Sequence, residues 1–187
     1  YWEYTGTAWQ TLPPKHDEVI TDPAKLYKKV KQEFEKKHSL TFLDRAPLNN
    51  TYVLMANPEW AKETGVKSLS GLASYLKETE EKVTVALNAE FQSRADGWPG
   101  LIKHYGFNDH TQQIQVKNIG SGLLYQVVGD GEADIGVGFN TDPRIIQFDL
   151  QVLEDDEKFF PVYNAAPMVR VPTLEDNPSI REPLNAI

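Results

Sequence analysis

Apolar positions recur along this chain with two alternating periods, and each change of period marks the edge of an element. Asp22-Pro23 offers an N-cap and a proline at the first helical position, after which Leu26, Tyr27, Val30 and Phe34 follow at helical spacing up to Lys37. The lysines between them make a solvated face. Thr51 to Ala56 is a short continuous apolar run that predicts a buried strand, and Asn57-Pro58 then caps a short helix that Gly65 ends. Ser68 or Ser70 opens the next helix, which runs through Leu72, Tyr75 and Leu76. Val83 to Leu87 predicts a second strand, Trp98 to Tyr105 a helix stopped by Gly106, and Ile114 to Val116 a short strand. Leu123, Leu124, Val127 and Val128 form one side of a helix closed by Gly129. Ala133 to Phe139 alternates, with Ile135, Val137 and Phe139 on one face and glycines between them that admit a close neighbour. Strand and helix in alternation predict an α/β sheet, and no repeat or low-complexity segment interrupts it.

Composition narrows the partners more than the fold. The 187 residues are enough to bury a core, as one domain or two small ones, and 40% hydrophobic with 25% charged residues is the balance of a folding chain. A formal net charge of -8 argues against duplex nucleic acid or an anionic membrane as the main partner, because both attract clusters of Lys and Arg. The absence of cysteine removes disulfides, thiolate metal sites and cysteine nucleophiles. The longest apolar stretches, Val83 to Leu87 and Ala165 to Val169, are too short to cross a bilayer.

Catalytic and metal chemistry finds few footholds. There is no Walker loop, GxGxxG, GxSxG or HExxH, and no cofactor is expected. His16, His38, His104 and His110 lie in polar or helix-end contexts and nowhere at metal-ligand spacing. Glu154-Asp155-Asp156-Glu157 lacks the glycine and alternation of a calcium loop and reads as a solvated acidic turn. What stands out is polar and aromatic residues at turn-like positions and strand ends: Tyr4-Thr5-Gly6-Thr7, Tyr52 opening a strand, Arg94 in a loop, Phe139 closing a strand, and Tyr163 in a turn after Pro161. Core packing is the ordinary role for each aromatic taken alone. Together, ring faces suit a quaternary ammonium, and a guanidinium with hydroxyls suits a carboxylate, so the set points to a small betaine-like zwitterion.

The segments YTGT (4–7), NTYVLMA (50–56), EFQSRADGWPGL (90–101), KHYGF (103–107), GLLYQVV (122–128), NTDPRI (140–145), LEDD (153–156) and FPVYNAAP (160–167), in this order, resemble the substrate-binding proteins or fused binding domains of ABC importers for glycine betaine, carnitine and choline. The resemblance covers nearly the whole chain. It implies a type II periplasmic-binding-protein-like α/β fold of two lobes that close around the ligand, and a protein that is no enzyme. Carried over by position, it makes Tyr4, Tyr52 and Tyr163 members of an aromatic box, with Phe139 where the family commonly has another tyrosine. Thr7 and Arg94 align with carboxylate ligands, and Asn50 falls where relatives can place an acid near the ammonium.

The same resemblance sets the remaining expectations. One lobe, 49–154, is complete; 1–48 and 155–187 are parts of the other, and the chain reads as a piece lacking segments that relatives carry at both ends. The implied partners are a quaternary ammonium ligand and an ABC permease, separate or fused, with no nucleic acid. The implied place is the periplasmic or extracellular face of the membrane. Glycine betaine, proline betaine, carnitine, choline and bulkier histidine betaines all remain open as ligands, and a ligand sensor on the same fold is the alternative function.

Overall fold

The computed structural model describes residues 1–186. It divides into two compact units, one of Tyr1–Asn50 with the segment from Pro161 onward, the other of Thr51–Phe160. The first unit begins with β1 (Trp2–Tyr4), α1 (Thr5–Thr11), α2 (Pro23–His38) and β2 (Leu40–Phe42). The second contains β3 (Tyr52–Ala56), α3 (Pro58–Thr64), α4 (Leu69–Glu78), β4 (Val83–Leu87), α5 (Ala89–Ser93), α6 (Trp98–His104), β5 (Ile114–Asn118), α7 (Leu124–Gly129), β6 (Ile135–Phe139), α8 (Arg144–Gln147) and β7 (Gln151–Val152). The first unit then resumes with β8 (Ala165–Arg170), α9 (Val171–Asp176) and α10 (Arg181–Asn185).

In the first unit β8 lies between β1 and β2, antiparallel to both. Helix α2 starts where the sequence predicts, with the Asp22 carboxylate accepting the Lys25 N–H at 2.7 Å. Its buried face, Leu26, Val30 and Phe34, shares a core with Ala8, Trp9, Ile20, Phe42 and Ala166. Fully burying each of those three side chains contributes roughly 1.5–3 kcal/mol. His16 stacks on Trp9, with ring centroids 3.7 Å apart, and bonds Glu33 at 2.7 Å, a structural use of a histidine.

The second unit is built on a five-stranded mixed sheet of order β5-β4-β6-β3-β7. Parallel neighbours need crossover connections. Helices α5 and α6 connect β4 to its parallel partner β5, and α7 connects β5 to β6, which also runs parallel to β4. Strand β3 runs antiparallel to β6 and places Tyr52 directly opposite Phe139. The glycines of β6 face α7 at close range: a Cβ at Gly136 would lie 2.6 Å from Val128 Cγ2, and one at Gly138 would lie 2.8 Å from Tyr125 Cε1.

Local signals fared well where a cap terminated them. Asn57 accepts the N–H groups of Glu59 and Trp60, and Gly65 ends α3 at φ 72°. Ser68 rather than Ser70 caps α4; Ser70 bonds Asp156 instead. Helix α7 includes Gly129, and the left-handed residue beyond its end is Gly131, so the stop falls two residues later than the sequence predicts. The YTGT segment forms no turn: Tyr4 ends β1, and Thr5-Gly6-Thr7 opens α1 despite its weak helix formers, because Ala8 and Trp9 bury into the core. The acidic run is more than a solvated turn. The Asp155 carboxylate accepts the Tyr105 hydroxyl at 2.5 Å and the Phe159 and Phe160 N–H groups, each at 2.9 Å.

Candidate functional site

The second unit gathers three of the expected residues into one patch. Cross-strand pairing stacks the rings of Tyr52 and Phe139, with centroids 4.9 Å apart and planes inclined by 29°. Tyr52 is buried, at 6% exposed, whereas Phe139 is 36% exposed. Phe91 and Phe160 support Tyr52 at centroid distances of 5.0 and 6.2 Å. Burial raises the Tyr52 phenol to about 12, against a weaker downward pull from Arg94.

Arg94 follows α5, whose first turn is fixed by Asn88 accepting the Phe91 N–H at 2.8 Å. Its guanidinium carbon lies 5.7 Å from the Tyr52 ring centroid. It is also bound by the protein's own acids: Nε and Nη2 fork onto Asp96 at 2.8 and 2.6 Å, and Nη1 donates to Glu90 at 2.9 Å. The Asp96 side chain is 1% exposed. Nε, Nη1 and Nη2 of Arg94 thus each meet a carboxylate, and the two acids offset its charge locally. Sequence reasoning passed over both acids, although Glu90 and Arg94 are spaced i,i+4 and Asp96 follows two residues later.

A second network sets the end of β6. The Phe139 N–H donates to the Tyr125 hydroxyl at 2.8 Å. The Arg144 guanidinium carbon sits 4.1 Å from the Tyr125 ring centroid and forks onto Asp142 through Nε and Nη2 at 2.9 and 2.7 Å. That fork holds the Asp142 carboxyl at about 2, well below the ordinary value. A small cavity of about 70 Å³ opens here, lined in part by Tyr52, Asn88, Tyr125, Phe139 and Arg144.

The first unit brings together Tyr4, Asn50 and Tyr163, with Thr7 one turn along α1. Asn50 donates its side-chain amide to the Tyr4 hydroxyl at 3.0 Å and its backbone N–H to the Tyr163 carbonyl at 3.1 Å. The Tyr163 N–H in turn donates to Asn49 Oδ1 at 2.7 Å, so two adjacent asparagines position two aromatic residues. Tyr163 is 3% exposed and Tyr4 37%. Gly6 makes this packing possible: a Cβ there would lie 2.8 Å from both Tyr163 Cδ1 and the Val162 carbonyl oxygen. Thr7 is half-buried, and its carbonyl accepts the Thr11 hydroxyl at 2.8 Å.

Among the described residues no group of three or more His, Cys, Asp or Glu side chains is placed to hold a metal ion, and no helix is long and apolar enough to cross a membrane. Comparison with known proteins supplies the family. Residues 1–187 match the family described as "Substrate binding domain of ABC-type glycine betaine transport system". The chain is 34% identical to a glycine-betaine-binding protein of Pseudomonas aeruginosa over 95% of its own length and 57% of the relative's. It is 30% identical to the chemotactic signal transduction system substrate-binding protein CosB of Halobacterium salinarum, over 90% and 53% of the two chains. A solved structure of a glycine betaine/carnitine/choline ABC transporter protein superposes with a TM-score of 0.74 at 32% identity, covering 98% of this chain and 64% of that one. The chain thus spans a little over half the length of the curated relatives it matches. These are binding domains rather than enzymes, and their fold is the type II periplasmic-binding-protein-like α/β fold. The chain belongs to the family of substrate-binding domains of ABC-type glycine betaine transport systems.

Proposed function

We propose that this chain captures a quaternary ammonium zwitterion of the glycine betaine type for an ABC importer, at the periplasmic or extracellular face of the membrane. The observation that carries the proposal is the stacked Tyr52–Phe139 pair with the Arg94 guanidinium beside it. A methylated ammonium donates no N–H bond, so electron-rich ring faces replace its water at roughly 0.5–2 kcal/mol per ring. Tyr4, Tyr52, Phe139 and Tyr163 are the proposed ring donors. Thr7 and Arg94 are the proposed carboxylate contacts, and Asp96 and Glu90 hold the arginine for that task. Delivery is to a permease, either a separate subunit or a domain fused to the binding domain.

Thermal-shift and calorimetric titration against glycine betaine, proline betaine, carnitine, choline and a histidine betaine tests this, since a ligand bound only by the folded state raises its melting temperature. A saturable shift with at least one of them is expected. No shift with any compound contradicts the proposal. The kinship to a chemotactic substrate-binding protein favours one second reading, a sensor that binds the same ligand class and signals to a partner. Uptake lost on deletion of the gene supports the importer; normal uptake with lost chemotaxis supports the sensor.

A further inference from the structure

Asn50 does more than pack against Tyr4. A phenol hydroxyl has two in-plane directions, one for its proton and one for the acceptor lone pair. The Asn50 amide donates to Tyr4 Oη at 3.0 Å and so takes the acceptor direction. Among the described residues this is the one hydrogen bond that reaches the Tyr4 hydroxyl, whose own proton is therefore left to donate elsewhere. Tyr4 is 37% exposed, so its hydroxyl belongs to an accessible residue. The Asn50 backbone from which that amide extends is held by its own N–H bond to the Tyr163 carbonyl at 3.1 Å. A carboxylate at position 50 would reverse the arrangement: it has no donor, so the phenol would have to spend its proton on it.

We propose that Asn50 is a specificity-determining residue which sets Tyr4 as a hydrogen-bond donor to the ligand, and thereby selects quaternary ammonium compounds that carry an anionic acceptor over those that carry none. This rests on the proposed function, and it adds the direction of one hydrogen bond and the residue that fixes it. The same tyrosine then serves both ends of a zwitterion, with its ring face for the methylated ammonium and its O–H for the carboxylate.

A double-mutant cycle read by calorimetry with glycine betaine tests the proposal. In wild-type protein, Tyr4→Phe is expected to weaken binding about tenfold, as loss of a hydrogen bond to a charged group does. In an Asn50→Asp background, where the phenol proton is already committed, the same change is expected to cost about twofold or less. An equal cost in both backgrounds overturns the proposal. A ligand-free readout stands beside it: the Asn50 side-chain amide resonance should move upfield on Tyr4→Phe, and an unmoved resonance also overturns it. If wild-type protein binds no quaternary ammonium compound, the functional reading falls and ligand selection with it, while the amide resonance still decides which way the hydrogen bond runs.

Discussion

Arg94 shows how one side chain can be a binding candidate and a structural element at once. Its fork onto Asp96, a nearly fully buried acid, means that truncating the arginine removes two charge-assisted bonds from that acid. Removal of one partner of a buried ion pair typically costs about 3 kcal/mol or more. Arg94→Ala should therefore lower the unfolding free energy by that order before any ligand is added, read as a fall in the urea midpoint, and Arg94→Ala combined with Asp96→Ala should recover part of the loss; an unchanged midpoint for the single variant would remove Arg94 from a structural role. Gly6→Ala is a second residue-scale case, because its new methyl would meet both the Tyr163 ring and a backbone carbonyl. We expect a loss of about 1–3 kcal/mol, the usual cost of overpacking, together with a perturbed Tyr163 environment in near-ultraviolet circular dichroism. At this scale Tyr52 and Phe139 could be singled out from the sequence by their strand-end positions. The acids that hold Arg94 carry a local signal too, Glu90 at i,i+4 and Asp96 two residues on, whereas the asparagine pair behind Tyr4 and Tyr163 carries none, since residues 4, 50 and 163 meet only through tertiary pairing.

Elements were legible where a cap and a period agreed. Asp22, Asn57, Gly65 and Gly106 all act as the sequence implies, because their signals are local and need no partner elsewhere in the chain. Strand β1 and helix α1 escaped the same reasoning: their stability comes from pairing with β8 and from burial of Ala8 and Trp9, not from propensity. The turn from Asp155 to Phe160 is the opposite case, a charged run that one carboxylate converts into a fixed corner. Asp155→Ala leaves two backbone N–H groups and a tyrosine hydroxyl without their acceptor and should cost about 2–3 kcal/mol in denaturant unfolding. A loss below about 0.5 kcal/mol would show the corner to be held by its phenylalanines instead. The Asp142–Arg144 fork that borders β6 makes a pH prediction. The Asp142 carboxyl is held at about 2, below its unfolded value, so its contribution is present above roughly pH 4 and is lost as pH falls through 2. Asp142→Asn should flatten the acid limb of the stability profile, and an unaltered limb would contradict the assignment.

At the scale of the whole molecule, an α/β fold and a net charge of -8 do not by themselves name a function. Family membership supports the proposed ligand class, and the local geometry gives that proposal a physical reason: a stacked ring pair beside a guanidinium, and separately two tyrosines positioned by neighbouring asparagines. The central claim is that ring faces recognise the charge of a methylated ammonium rather than its shape. Calorimetry with glycine betaine and with 3,3-dimethylbutanoate, which replaces the charged nitrogen by carbon at nearly unchanged size, separates the two. If charge is what the rings read, the betaine binds at least about tenfold more tightly, the equivalent of two or three modest cation–π contacts. Equal affinity for both compounds would mean that the aromatic residues supply only an apolar surface, and would contradict recognition of a quaternary ammonium.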